Sequence, residues 1–254
     1  MRASARGFSL IELALGLVIV ATLLSALLVP LATQMDQRRT AETQTLLEQA
    51  KEALLGFAAG TGRLPCPATE GTNGAEAVVD INTGACTRQR GFLPAATLGL
   101  SPVDSAGFQT DSFGGDLNRI RYAVSAANRA PSVTNRLYTM TNGLRGADAA
   151  QLIAGDPQGL NLTVCSTRSD NPSTCSAGLT LANQNVVAVV FSVGKSRAVR
   201  ANTADEDENE DITPGNQIFV SRGYSEAADQ QFDDILLWIS PSILISRLAA
   251  AGQL

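Results

Sequence analysis

The sequence contains no histidine, and its only lysines are Lys51 and Lys195. Histidine is the commonest general base in enzymes and a usual zinc ligand, so its absence removes both roles. A serine nucleophile would then depend on one of the two lysines as its base. The sequence also has no G-x-S-x-G element, no P-loop and no dinucleotide-binding fingerprint. We therefore expect that the protein is not an enzyme.

Positive charge and aromatic side chains are also scarce. Lys and Arg together number 19 against 24 Asp and Glu, which gives a net charge of −5, and aromatic residues make up 5% of the chain. Proteins that bind nucleic acids neutralise phosphates with clusters of Lys and Arg, and this sequence has no basic cluster. The composition thus indicates no nucleic-acid partner.

What the chain does have is one long apolar run near its start, within RGFSLIELALGLVIVATLLSALLVP. In residues 8–29 the only ionisable side chain is that of Glu12. The run is long enough to cross a bilayer core, which takes roughly 20 apolar residues. A secretory signal peptide has a shorter apolar region, about 7–15 residues, and then a small-residue cleavage site, which does not follow here. Because Arg2 and Arg6 precede the run, we expect a cytoplasmic N-terminus with the rest of the chain outside.

Glu12 is the unusual residue of this run. A carboxylate in such a helix costs about 2–3 kcal/mol on insertion scales and usually has a function. One interpretation is an acid tolerated at the level of the headgroups. The other is an acid that pairs with a positive group on another chain. The α-amine that cleavage between Gly7 and Phe8 would create is the obvious candidate.

These residues resemble the leader junction and first segment of a type IV prepilin, the precursor class shared by type IV pili and type II secretion pseudopili. Gly7 matches the glycine before the cleaved bond, Phe8 the methylated mature N-terminus and Glu12 the acid at the fifth mature position. The resemblance implies a prepilin peptidase/methyltransferase as processing partner and other pilin or pseudopilin subunits as assembly partners. It also implies that Glu12 neutralises the N-terminal amine of a neighbouring subunit. Pro30 departs from the family pattern, one residue after its usual helix-kinking proline.

The resemblance and the hydrophobic pattern together divide the chain into four parts. These are a leader (1–7), a transmembrane and assembly helix (8–30), its amphipathic continuation (31–59) and a periplasmic or extracellular globular domain (60–254). In the continuation, apolar residues recur at steps of three and four, which predicts a single buried stripe: Leu47, Ala50, Leu54 and Phe57. We expect an inner-membrane protein with a single span that passes into a periplasmic or cell-surface filament.

Strands are predicted where β-branched and aromatic residues cluster. The segments are 120–124, 136–140, 160–165, 186–193 and 217–221, followed by ILLWIS as a last strand. The run VVAVVFSV is apolar on both faces, which predicts the centre of a sheet covered by the N-terminal helix. Ser240 and Pro241 begin a final helix that stops at Gly252, whereas the Gly- and Pro-rich stretch 62–100 is predicted to be a loop. The fold class is therefore α+β, with a long N-terminal helix on a mainly antiparallel sheet; the resemblance implies a pilin-like arrangement.

Four cysteines are present: Cys66, Cys86, Cys165 and Cys175. They allow three connectivities. We favour the two local pairs because each closes a short polar loop in a domain that the apolar run would send to an oxidising compartment. Four reduced thiols are the alternative. A zinc site is disfavoured because no pair has the spacing of two to four residues typical of zinc fingers.

The densest charge run is DEDENED, residues 205–211. Such runs are usually solvated loops, but carboxylates are also the ligands that calcium prefers. FSVGKSRAVRANTADEDENEDI is similar to the Ser-x-Gly turn and acidic calcium loop of major pseudopilins, and DSFGGDLNRIRYAV is similar to their Asp-x-Trp/Phe-Gly-Asn-x-x-x-Tyr element. The resemblance implies candidate calcium ligands at Asp205, Asp207 and Asp211; no other cofactor is expected. Asp233 and Asp234 are adjacent, so in a strand they would point to opposite faces. We expect them to anchor the loop before the last strand rather than to form a catalytic pair.

We therefore expect a structural subunit of a type IV pilus or a type II secretion pseudopilus. It would be cleaved after Gly7, methylated at Phe8 and assembled through its N-terminal helix. The alternative is a binding module at the tip or side of such a filament, with the stretch 62–100 and the acidic run as its contact surfaces. The sequence leaves open which machine is served, whether the subunit is major or minor, and which ligand is recognised.

Overall fold

The computed structural model describes residues 9–130, 134–145, 147–154, 161–175, 185–198, 202–227 and 230–254. Side chains 24–32, 154 and 198 lie outside that description, as do Gly7 and Phe8. The chain divides into two compact units, Met1–Ala41 and Glu42–Leu254. Helices and strands follow in this order: α1 (Leu10–Thr61), β1 (Val78–Asp80), β2 (Ala85–Cys86), β3 (Arg90–Phe92), α2 (Ala95–Leu98), β4 (Arg121–Val124), α3 (Ala149–Ala154), β5 (Thr163–Cys165), β6 (Ala188–Ser192), α4 (Ala204–Glu210), β7 (Ile218–Val220), β8 (Ile235–Ile239) and α5 (Pro241–Ala250).

In the first unit, helix α1 begins at Leu10, within the apolar run. Over the part of the chain that the structure describes, no helix has both the length and the apolar character needed to span a membrane. Of the predicted span 8–30, residue 8 and side chains 24–30 lie outside the description.

In the second unit, the last part of α1 carries the predicted apolar stripe. Leu47, Ala50 and Leu54 are fully buried, and they belong to one core cluster with residues of the sheet. Phe57 is only half-buried, and Ala58 takes the next core position. The helix ends at Thr61, and Gly62 follows with φ 72°, the left-handed conformation that glycine supplies after a helix.

The main sheet has four strands in the order β3-β4-β6-β8, and all of its pairings are antiparallel. The predicted central strand is therefore confirmed, because β6 lies between β4 and β8. Val190 on one face of β6 joins the core that contains α1, whereas Val189 and Phe191 join a second core with Val164 and Phe219. Burial on both faces explains why this strand is continuously apolar. Two smaller sheets pair β1 with β2 antiparallel and β5 with β7 parallel. The fold is α+β, with an N-terminal helix and mainly antiparallel sheets.

Three sequence predictions about local structure are wrong. Residues 137–140 form turns rather than a strand, and their apolar content reflects the burial of Leu137 and Tyr138. The predicted loop 62–100 contains β1, β2, β3 and α2, which are too short to show a periodic pattern.

The acidic run is not a loop. Residues 204–210 form α4, and the Glu206 carboxylate accepts a hydrogen bond from the Thr203 backbone N–H at 2.8 Å. This contact is half of a capping box, which begins a helix.

Both expected disulfides are present. Cys66 bonds to Cys86 and Cys165 to Cys175, with Cα–Cα distances of 5.4 and 5.6 Å. The first lies between α1 and β3, and the second closes the loop after β5. The alternative of four reduced thiols is therefore not what the structure contains.

Candidate functional site

The first described part of α1, residues 10–23, is an exposed apolar surface. Every described side chain in this stretch is exposed, and the large apolar ones range from 51% exposed at Ile19 to 89% at Leu10. Single exposed apolar residues are normal on soluble proteins, but a continuous apolar surface marks an interaction site with protein or membrane. Burial of such area stabilises an association by roughly 25 cal/mol per Å².

Glu12 lies in the first turn of this apolar helix. Its carboxylate accepts a hydrogen bond from the backbone N–H of Ser9 at 3.2 Å, and the Ser9 hydroxyl accepts one from the N–H of Ile11 at 3.2 Å. The first N–H groups of a helix have no partner within the helix and favour nearby negative charge. Glu12 is itself exposed. The acid is therefore placed at the positive end of its helix and is accessible to a further partner.

In the second unit, the structure does not bring Asp205, Asp207 and Asp211 together. Asp205 accepts hydrogen bonds from the hydroxyl of Thr167 at 3.0 Å and pairs with the Arg222 guanidinium at 3.0 Å. Asp207 is exposed on α4.

Asp211 follows α4 and accepts hydrogen bonds from the backbone N–H of Thr213 at 2.8 Å and the Asn216 amide at 2.7 Å. Burial acts to raise the pKa of Asp211, but these hydrogen bonds outweigh it and the pKa is lowered. Two of the three candidate calcium ligands are thus engaged by protein donors, and calcium binding through this set stays a prediction.

The outer side of α4 borders an acidic groove of about 750 Å³. Its lining comes from α4, the turn after α4 and the loop closed by the second disulfide: Arg168, Ser169, Asp170, Pro172, Ala204, Asp207, Glu208, Glu210, Asp211, Thr213, Pro214, Gly215 and Asn216. Among these described residues five are acids, and Arg168 is the only cation. The Arg168 guanidinium lies 3.8 Å from Glu208 and 3.6 Å from Asp170. The groove therefore carries an excess of negative charge.

Three carboxylates on the other side of α4 meet in the interior. Glu206, Asp233 and Asp234 each have a carboxylate oxygen within 4.8 Å of the others, and no second such group occurs in the described ranges. Glu206 and Asp234 are 2% and 8% exposed. Asp233 and Asp234 lie in the loop before β8, which begins at Ile235, so the alternation of a strand does not apply to them. This position agrees with the expectation that they belong to the loop before the last strand.

Donors of the protein satisfy part of this carboxylate group. Asp233 accepts from the backbone N–H of Ser196 at 2.8 Å and from its hydroxyl at 2.6 Å. Asp234 accepts from the Asn209 amide at 2.7 Å. Burial raises the pKa of Asp234 well above its ordinary value, and the neighbouring charges of Glu206 and Asp233 raise it further. Within this acid cluster, burial and the neighbouring carboxylates therefore oppose ionisation of Asp234.

Two segments that are far apart in the chain, DSFGGDLN and the turn after β6, contact each other. Asp111, in DSFGGDLN, accepts a hydrogen bond from the Ser192 hydroxyl at 2.5 Å and one from the Asn118 amide at 3.1 Å. The Asn118 amide also donates to the carbonyl of Gly194 at 2.5 Å. Burial raises the pKa of Asp111, although these hydrogen bonds oppose the shift. The two segments form one buried network, which no local pattern in the sequence predicts.

Comparison with known proteins found no relative of this chain. No model of a known protein family matches the chain, and neither the curated proteins nor the solved structures contain a match.

Proposed function

We propose that the protein is a structural subunit of a type IV pilus or a type II secretion pseudopilus, and not an enzyme. In this proposal it is cleaved after Gly7 by a prepilin peptidase, methylated at Phe8 and assembled through α1. The observation that carries the proposal is the exposed apolar surface of residues 10–23, in which Glu12 is the only ionisable side chain. A surface of this kind needs a partner, and identical helices of neighbouring copies would supply one.

In the assembled filament, Glu12 would be taken out of water together with the α-amine of a neighbouring subunit. A buried ion pair that loses one partner leaves an uncompensated charge, which costs about 3–5 kcal/mol. Glu12 would thus both attract the next subunit and fix its register. Before assembly, the same apolar stretch would hold the subunit in the inner membrane with its N-terminus in the cytoplasm, as the basic residues before it favour.

The second unit supports a pilin-like arrangement. The last part of α1 packs its Leu47 and Leu54 stripe on a four-stranded antiparallel sheet. The two disulfides are consistent with a domain in the periplasm or at the cell surface. The network of Asp111, Ser192 and Asn118 joins the two elements for which a pseudopilin likeness is proposed.

The test replaces Glu12 in the full chain. Glu12→Ala should leave the protein inserted in the membrane and processed, but should reduce its incorporation into filaments by tenfold or more, because each buried amine would lack its counter-charge. The loss is measured by shearing filaments from cells and immunoblotting. Glu12→Gln is the matched variant that keeps size and removes charge, and it should behave like Glu12→Ala.

Mass spectrometry of the mature wild-type protein provides the control for processing. It should show a methylated Phe8 at the N-terminus. Normal incorporation of both Glu12 variants, or an uncleaved leader in a host with an active prepilin peptidase, would contradict the proposal.

A second candidate function is a binding module at the tip or side of the filament. The acidic groove favours this function, because five of the described residues that line the groove carry a carboxylate and one, Arg168, carries a guanidinium. Its partner would be a protein or peptide with a basic surface. Binding of an Arg-rich peptide to the full chain should weaken several-fold in Asp207→Asn, whose carboxylate is exposed in the groove, and should weaken further at high salt. Equal binding by this variant and by wild type would exclude the groove as the contact surface.

A further inference from the structure

Helix α1 has a glycine one turn after Glu12. Gly16 lies inside the exposed apolar stretch 10–23 and is itself exposed. Beyond the adjoining residues and the backbone of its own helix, a Cβ atom added there would meet no described atom within 4 Å. Apart from proline, glycine is the poorest helix former, because its backbone loses the most freedom on folding. The described chain therefore has room for a side chain at this position, and the helix would gain from one.

The missing side chain leaves a depression in the surface of the helix, which we call the Gly16 notch. Residues three and four positions apart are neighbours on one face of a helix, with Cβ atoms about 5–6 Å apart. Gly16 is therefore bordered by Glu12 and Leu13 towards the N-terminus and by Ile19 and Val20 towards the C-terminus. The three apolar neighbours are between 51% and 58% exposed. The notch thus has a backbone floor, apolar walls and a carboxylate at one end.

This composition defines the kind of group that fits. The Glu12 carboxylate accepts a hydrogen bond from the backbone N–H of Ser9 at 3.2 Å, and it is exposed. An ionised carboxylate has about four lone-pair sites, so it can accept from a further donor. The fitting ligand carries a cation for Glu12 and a compact apolar group for the notch, about one helical turn apart. An apolar residue at the N-terminus of a chain meets both needs, because its α-amine and its side chain start from the same Cα.

This sequence contains such a residue. Cleavage after Gly7, which the proposed function requires, would leave Phe8 with a free α-amine next to its phenyl ring. An aromatic ring brings a large apolar area to a contact. A glycine lets a partner come close to the helix backbone, and small residues at helix interfaces allow this close approach within membranes.

We propose that the Gly16 notch seats the first residue of a neighbouring copy of this chain. The α-amine of Phe8 of that copy pairs with Glu12, and its ring fills the notch between Leu13 and Val20. The inference rests on the proposed function, since it requires cleavage and assembly, and it adds a second determinant of register. A charge attracts an amine from many directions, whereas a notch one residue wide accepts the ring in one position.

The first test fills the notch in the full chain. Gly16→Leu should reduce incorporation into filaments by about tenfold or more, because an overpacked contact displaces the ring. Shearing of filaments from cells and quantitative immunoblotting measure the loss. Membrane insertion should not weaken, since leucine is favoured in membrane segments. Gly16→Ala adds less volume and should give an intermediate loss.

Gly56→Leu is the matched control. Gly56 is also an exposed glycine of α1 with no described atom near its Cβ position, and it follows Glu52 by the same four residues. The difference is that Glu52 already has a counter-charge within the chain, the guanidinium of Arg247. Gly56→Leu should therefore assemble as wild type does.

A double-mutant cycle tests the ring itself. Phe8→Ala should lower incorporation several-fold in an otherwise wild-type chain, because the notch then stays empty. In the Gly16→Leu background the notch is already filled, so the same change should cause no further loss. Mass spectrometry of each variant establishes that the leader has been removed and the new N-terminus methylated.

The outcomes separate this inference from the proposed function. Normal incorporation of both Glu12 variants would contradict the proposed function itself. Poor incorporation of Glu12→Gln together with normal incorporation of Gly16→Leu would leave assembly intact and overturn the role of the Gly16 notch. The inference would also be overturned if Phe8→Ala lowered incorporation by the same factor in both backgrounds, because residues that do not touch contribute independently.

Discussion

Glu12 in the first unit and Asp234 in the second are both acids, but their surroundings differ: Glu12 is exposed among apolar side chains, whereas Asp234 is buried. Glu12 is exposed on a helix whose apolar side chains have no cover, and its described contact is the N–H of Ser9. Asp234 is buried among other acids and is held by Asn209. Burial raises the pKa of Asp234 well above its ordinary value, whereas the exposed Glu12 is accessible to a counter-charge, which we propose another copy supplies.

The same contrast holds for leucines of α1. Leu54 has no exposed surface, whereas Leu17 is 63% exposed. Leu54→Ala should lower the free energy of unfolding of the second unit by about 2–5 kcal/mol, because it leaves a cavity in the main core. The midpoint of denaturant unfolding, followed by circular dichroism, measures this loss.

Leu17→Ala is the matched variant in the first unit. It should leave that midpoint within about 0.5 kcal/mol of wild type, as exposed substitutions usually do, and should instead reduce incorporation into filaments. If Leu17→Ala destabilised the chain as much as Leu54→Ala, the exposed stretch would have to pack within its own chain, and the comparison between the units would fail.

Much of the fold could be predicted from local sequence, and the exceptions have physical reasons. Strand β6 was predicted because burial on both faces requires an unbroken apolar run, and α5 because Ser240 and Pro241 carry a start signal. Helix α4 was missed, although Thr203 and Glu206 stand at capping-box spacing, because the run of acids was interpreted as a solvated loop.

One of the candidate sites could also be predicted from the sequence, and another could not. Glu12 could be found from sequence because a single acid in an apolar run is visible without a structure. The cluster of Glu206, Asp233 and Asp234 could not, because it forms only when two segments that are far apart in the chain meet. Its members also belong to no local motif that would have drawn attention to all three.

The smallest expected effect comes from an acid on the same helix as Glu12. Glu48, in the second unit, is exposed and lies 3.2 Å from the Lys51 ammonium one helical turn away. Exposed pairs of this kind contribute about 0.3–0.5 kcal/mol. Glu48→Gln should therefore change the unfolding midpoint only slightly and leave filament incorporation as in wild type, whereas Glu12→Gln should abolish most of it. Loss of incorporation in both variants would mean that the total charge of α1, rather than the position of Glu12 within the apolar surface, controls assembly.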